Sequence, residues 1–229
     1  MEENISNKST LPAIIVLVVI VVVVGFLLTK AKVPPATKPA VQQAGSAPTE
    51  PPFDPASIPA VSAQDYIKGS ATATTTIVLY SDTQCPYCRV FYPELKKVLS
   101  ENPDVRLVYR PTPFKPTGQV EEKAMDCAND QGKYWEYLDA IYTSTDTENI
   151  IDPARLAKIG TDLGLDGTVF SQCLSSDKYG SKTQIYLDAA RVAKITGTPT
   201  SIIIGPKGAT PIRGAVGADQ LAKVVNSVK

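Results

Sequence analysis

Residues 74–91 read TTTIVLYSDTQCPYCRVF, and this stretch constrains the chain more than any other. Thr74 to Ser81 is β-branched and apolar, bounded by turn residues, which is the pattern of a buried strand. A helical pattern begins directly afterwards at Pro86, a residue suited to the first helical position because its missing N–H would have no partner there anyway. Cys85 therefore sits at a helix N-terminus, where free backbone N–H groups and the helix dipole favour a thiolate. Cys88 lies one turn on, and Phe91, Leu95, Val98 and Leu99 continue its face at helical spacing. Cys88 is thus expected to point inward and Cys85 outward. An activated, accessible thiol beside a sheltered one is the arrangement that thiol–disulfide exchange needs: Cys85 attacks or is attacked, and Cys88 resolves the mixed disulfide.

Composition narrows the alternatives. The chain has 229 residues, with four cysteines and no histidine. Without histidine there is no Ser-His or Cys-His nucleophile pair and no CxxCH haem attachment. A zinc site would need all four cysteines, or carboxylates in their place, and a single CxxC argues against it. Lys+Arg and Asp+Glu both number 23, so no basic face is implied and no nucleic-acid partner is expected.

The remaining pattern is α/β. A second strand is expected over 105–110 (VRLVYR) and a third over 200–205 (TSIIIG), with ATPIRG at 209–214 pairing to it across a Pro-Lys-Gly turn. A helix over ADQLAKVVNSVK closes the chain. Between the second and third strands lies a long helical block, about 115–195, broken by Gly and Asp-Pro signals. Without it, the order is strand–helix–strand, then hairpin–helix.

These features together resemble the DsbA-like thiol:disulfide oxidoreductases. The segments that carry the resemblance are YIKGSATATTTIVLYSDTQCPYCRVFYPEL, MDCANDQGKYWEYLDAIY and ITGTPTSIII. They occur in the family's order, and the likeness covers about 65–229. It implies a thioredoxin-like fold with a helical insertion, no organic cofactor and reduced or unfolded exported proteins as substrates. Carried over, Cys85 is the nucleophile, Cys88 the resolving thiol and Pro199 a cis-proline lying against the cysteines. Thr198 would exchange hydrogen bonds beside Cys85. From the residues alone an ordinary trans Thr198–Pro199 bond stays open. The resemblance also implies reoxidation by a membrane oxidoreductase of the DsbB or vitamin-K-epoxide-reductase type. Two departures stand out. Thioredoxin-type proteins often carry a buried acid six residues before the first cysteine, where this chain has Leu79. Tyr87 replaces the histidine of the most oxidising relatives. An enzyme working in reverse, as a reductase or isomerase fed by a membrane electron donor, is the alternative. Isomerases of this general fold usually dimerise, and the chain shows no coiled-coil heptads or extra domain.

Cys127 and Cys173 lie in the helical block. Val120, Ala124, Cys127 and Ala128 share a face, as do Val169, Phe170, Cys173 and Leu174, so both thiols are expected to be buried. They are either separate core cysteines or a structural disulfide joining two helices. A bond would imply an oxidising compartment. Tyr134, Leu138, Ile141 and Tyr142 follow helical spacing and read as core rather than as a substrate groove. ELKKVLSE and QVEEKA read as solvated helix faces.

The N-terminus carries an 18-residue apolar run, Leu11 to Leu28, about 27 Å long as a helix and close to a bilayer core. It is longer than a signal-peptide core, so residues 1–30 read as a tail and a single membrane anchor. Residues 31–63, with eight prolines, read as an extended linker, and 64–229 as the globular domain. Lys30, Lys32 and Lys38 after the span, against Lys8 before it, would alone keep the C-terminal side in the cytoplasm. Long domains translocate largely regardless of charge, and the cysteine chemistry favours a cell-membrane protein with its catalytic domain on the extracytoplasmic side.

Overall fold

The computed structural model describes residues 53–144 and 152–229. The apolar run 11–28 and the linker up to residue 52 lie outside the described residues. Among the described residues no helix is long and apolar enough to cross a membrane.

The core is a five-stranded sheet of order β1-β3-β2-β4-β5. Its strands are β1 (Tyr66–Lys68), β2 (Thr75–Ser81), β3 (Val105–Pro111), β4 (Thr200–Gly205) and β5 (Gly208–Arg213). β2 and β3 run parallel, joined by helix α1 (Pro86–Glu101), because parallel neighbours need a crossover connection. The other pairs are antiparallel. Every residue of β2 is buried, which explains its unbroken apolar run: both faces of this strand are covered. Ile77 and Leu79 join the larger core with Phe91, Leu95 and Val98 of α1. Val78 and Tyr80 face the other way, toward Val108 and Ile202. The β4–β5 turn needs Gly208, whose φ of +128° disfavours a side chain. Helix α7 (Ala218–Val228) buries Leu221, Val225 and Val228 against the sheet.

Among the described residues the insertion contains five helices: α2 (Pro116–Asn129), α3 (Tyr134–Thr143), α4 (Pro153–Asp162), α5 (Gly167–Ser175) and α6 (Lys182–Val192). Cys127 of α2 and Cys173 of α5 form a disulfide, with Cα atoms 5.7 Å apart. Tyr134, Leu138, Ile141 and Tyr142 are all buried in the core.

Three expectations are corrected. QVEEKA is not a solvated face: Glu121 and Glu122 are 0% and 2% exposed. α2 packs against α3, α4, α5 and α6 at once, so most of its circumference is covered, acids included. The Thr83 hydroxyl donates to Glu121, while the Tyr66 hydroxyl and the Lys182 ammonium both donate to Asp126 one turn along. Burial, reinforced by the neighbouring Asp126 charge, pushes the Glu122 carboxyl well above the usual range. Val120 and Val169, expected on the buried faces, are 39% and 47% exposed, because the covered stripes of α2 and α5 are centred elsewhere. Finally, the tail of the proline-rich segment belongs to the packing. Phe53 and Ile58 rest on the second face of the sheet, and Arg110 holds the segment there. Its guanidinium donates to the carbonyls of Pro59 and Ala60 at 2.9 and 3.2 Å and pairs with buried Asp65 at 2.7 Å.

Candidate active site

The turn between β2 and α1 is built around Asp82. Its carbonyl accepts from the Cys85 N–H at 3.0 Å. Its carboxylate accepts from the Gln84 N–H at 2.9 Å and from the Phe114 N–H at 3.3 Å. One side chain thus shapes the turn that presents the cysteines and ties it to the loop after β3. The approach is close enough that a Cβ on Gly118 would stand 3.0 Å from the Asp82 carboxylate, so glycine is what lets α2 begin there. Burial raises the Asp82 pKa, and the two backbone donors oppose it.

Cys85 is the N-cap of α1, with extended backbone (φ −86°, ψ 120°), and Pro86 opens the helix. Cys85 is part-exposed and Cys88 is buried, and both are free thiols. The Cys85 pKa is pulled down to about 5. The largest cause is a hydrogen bond from the Cys88 thiol; burial opposes it, and the backbone N–H of Cys88, the Thr198 side chain and the Tyr87 N–H add to the lowering. The helix start therefore acts through specific N–H groups and the partner thiol. Cys88 behaves oppositely: burial, then its donation to Cys85, push its thiol far up. Cys85 is thus the accessible thiol of the pair and Cys88 the sheltered one, as their helical spacing places them.

The Thr198–Pro199 bond is cis. The Thr198 carbonyl lies 3.2 Å from the Cys85 sulfur, which donates to it as a thiol, while the Thr198 side chain favours the thiolate. The Pro199 carbonyl accepts from the Gly214 N–H at 2.8 Å, fixing the loop as it enters β4. Residues more than a hundred positions apart in sequence thus form one site, Cys85, Cys88, Thr198 and Pro199. Cys127 and Cys173 stay in the insertion as a separate bridge.

Leu79 is 1% exposed in the middle of the sheet, opposite Tyr109 and Ser201, so β2 presents no acid to the cysteines. Tyr87 and Val90 on α1 and Phe114 after β3 are exposed apolar side chains, Tyr87 at 63%. Sequence reasoning missed Ser81, whose buried hydroxyl meets that of Tyr142 at 2.8 Å. The available signal was a hydroxyl at the end of the strand, four residues before Cys85.

Comparison with known proteins agrees with this geometry. The thioredoxin family model matches residues 62–225. The Na(+)/H(+) antiporter NhaA 3 of Salinispora tropica is 30% identical over 145 residues, covering 62% of this chain but only 22% of the antiporter. The chain therefore spans less than a quarter of that relative's length. DsbA2 of Pseudomonas aeruginosa superposes with a TM-score of 0.59 at 27% identity, covering 71% of this chain and 93% of DsbA2. A thioredoxin-like oxidoreductase from Silicibacter pomeroyi DSS-3 gives 0.64 at 23% identity, covering 72% and 92%, a likeness of fold alone. The chain belongs to the thioredoxin family, and its fold is that of the DsbA-like thiol–disulfide oxidoreductases.

Proposed function

We propose that this protein introduces disulfide bonds into exported proteins, with Cys85–Cys88 as the redox pair. The observation that carries the reading is the asymmetry of the pair: Cys85 part-exposed at the N-terminus of α1 beside Thr198, and Cys88 buried one turn on, an arrangement that lowers the Cys85 thiol and raises that of Cys88. Stabilising the thiolate stabilises the reduced form, which makes the disulfide the stronger oxidant. A reduced substrate thiolate attacks Cys85, the Cys85–Cys88 bond breaks, and Cys88 leaves with the electron pair and takes up a proton. A second substrate thiol, deprotonated, then displaces Cys85 and completes the substrate disulfide. The exposed Tyr87, Val90 and Phe114 would meet the apolar segments of unfolded chains.

The Cys127–Cys173 bond supports an oxidising compartment, and the apolar run 11–28 supports a single membrane anchor with residues 31–229 outside the cell membrane. Turnover then requires a membrane oxidoreductase with its own cysteine pair and a quinone, of the DsbB or vitamin-K-epoxide-reductase type. Equilibration with glutathione tests the direction. The expected potential lies between roughly −120 mV and roughly −230 mV, because Tyr87 supplies no positive charge of the kind an imidazolium would add. A potential near roughly −270 mV, with the pair reduced in cells, would instead make the protein a reductase.

A further inference from the structure

Glu121 is a buried acid with no part in the exchange steps. It lies in the second turn of α2 and is 0% exposed. Burying a carboxylate is costly unless its oxygens are paired, and only one of them is. Oε2 accepts from the Thr83 hydroxyl. Oε1 has no hydrogen-bond partner among the described residues, and neither has the buried Gln84 Nε2, although the Gln84 side chain is close enough to favour the anion. An apolar side chain would fill the same volume without that cost. What the acid adds at this position is its contact with Thr83.

That contact reaches the segment that presents the nucleophile. Thr83, 4% exposed, sits in the turn from β2 to Cys85. The turn is closed on itself by the Asp82 carbonyl, which accepts from the Cys85 N–H at 3.0 Å, and by the Asp82 carboxylate, which accepts from the Gln84 N–H at 2.9 Å. These bonds shape the turn without placing it against the rest of the fold. It is tied outward by the Phe114 N–H, which donates to the Asp82 carboxylate at 3.3 Å, and by the Thr83–Glu121 bond, which spans 38 positions. Gly118, one helical turn before Glu121, is where α2 comes close to the Asp82 carboxylate. The insertion therefore meets the turn at two points of one helix face, a close approach at Gly118 and a hydrogen bond at Glu121. The Cys88 and Tyr87 N–H groups favour the Cys85 thiolate, and they are aimed at the sulfur only while Cys85 keeps the cap position that the turn sets.

We infer that Glu121 is a positioning residue of thiol–disulfide exchange: by accepting from Thr83 it lets the helical insertion fix the turn that holds Cys85 at the start of α1. The inference rests on the reading of Cys85–Cys88 as an exchange pair and adds to it a structural input from the insertion. Facing Glu121 are Thr83, Gln84 and Asp82 from the turn, Arg89 from α1 and Tyr137 from α3. Burial, the largest influence, raises its pKa; the Thr83 and Gln84 side chains oppose this, the Asp82 charge adds to it and Arg89 lowers it. Either protonation state leaves an oxygen able to accept, so the role asks for an acceptor at this place and not for a charge.

The test is the alkylation rate of Cys85 against pH in the reduced full chain, with urea unfolding as the control for folding. Thr83→Val and Glu121→Leu each remove one side of the contact, and each should raise the Cys85 midpoint by about one unit. The double variant should show about the same rise rather than twice as much, because both changes break one interaction. Thr83→Ser and Glu121→Gln keep a donor and an acceptor and should stay near the native midpoint. Against glutathione, the disulfide of Thr83→Val and of Glu121→Leu should be about tenfold the weaker oxidant, since the reduced form has lost that much thiolate stabilisation. An unshifted midpoint in the folded Thr83→Val and Glu121→Leu proteins, or additive shifts in the double variant, would overturn the role. So would a Glu121→Gln shift as large as that of Glu121→Leu, which would make the effect one of charge. If the native protein forms no Cys85–Cys88 disulfide with oxidised glutathione, the exchange reading itself fails; a native pair that forms it while the variants stay unshifted overturns the role of Glu121 alone.

Discussion

Replacing Cys88 with alanine is expected to convert the protein from a catalyst into a trap. Cys85 keeps its N-cap position and its contacts with Thr198, so it still forms mixed disulfides with thiol substrates offered an oxidant. With no resolving thiol in place, those adducts persist. Oxidation of a reduced protein substrate should fall by about a thousandfold or more, because nucleophile and resolving thiol act as one unit. Cys85→Ala should fall as far but accumulate no adduct, since Cys88 is buried and its thiol pushed far up. Non-reducing electrophoresis with mass spectrometry separates the two outcomes. Adducts on Cys88 in the Cys85→Ala protein at rates near those of Cys85 would reverse the assigned roles.

The largest expected effect on stability comes from the bridge in the insertion. Cys127 and Cys173 are separated by 46 positions, and closing a loop of that size constrains the unfolded chain by up to about 4 kcal/mol. Cys127→Ser also leaves Cys173 with a free thiol close to Asp130, which it meets at 3.7 Å. The variant should unfold at lower urea concentration by nearly that amount while its glutathione exchange stays within about twofold, because the bridge shares no residue with the Cys85 site. Loss of exchange in a folded Cys127→Ser protein would show that the insertion is coupled to the redox pair.

The elements that were legible in the sequence are those whose signal is local. The runs at 74–81 and 200–205 are apolar because β2 and β4 are central strands, and Pro86 marks the helix start directly. β1 was not legible: Tyr66–Lys68 is three residues long, too short for any period to register, and it is defined by its antiparallel pairing with β3, some forty positions on. Glu121 and Glu122 look like solvent residues, and what permits their burial is distant in sequence. Thr83 is 38 residues away from Glu121, and Lys182, which opposes the raised Glu122 pKa, comes from another helix. Phe53 and Ile58 are single apolar residues in a proline-rich segment, and what holds them on the sheet, including the Arg110 side chain bound to the carbonyls of Pro59 and Ala60, is distant in sequence. At the site, Cys85 and Cys88 were read from spacing on one helix. The Ser81–Tyr142 contact spans 61 residues, so the strand-end hydroxyl could be read locally but its partner could not.

The central claim is that the fold lowers the Cys85 thiol while raising Cys88. A thiol whose pKa falls on folding gives the reduced protein stability that is fully present above the ordinary value near ~8.5 and is lost as pH falls through the folded value. The disulfide cannot ionise, so the oxidising drive of the pair should persist at neutral pH and fade toward about 5. The direct measurement is the alkylation rate of each cysteine in the reduced protein as a function of pH, resolved by peptide mapping. A Cys85 midpoint near about 5, with Cys88 unreactive across the neutral range, is the predicted result. A Cys85 midpoint near the ordinary thiol value of ~8.5, or faster modification of Cys88, would contradict the account.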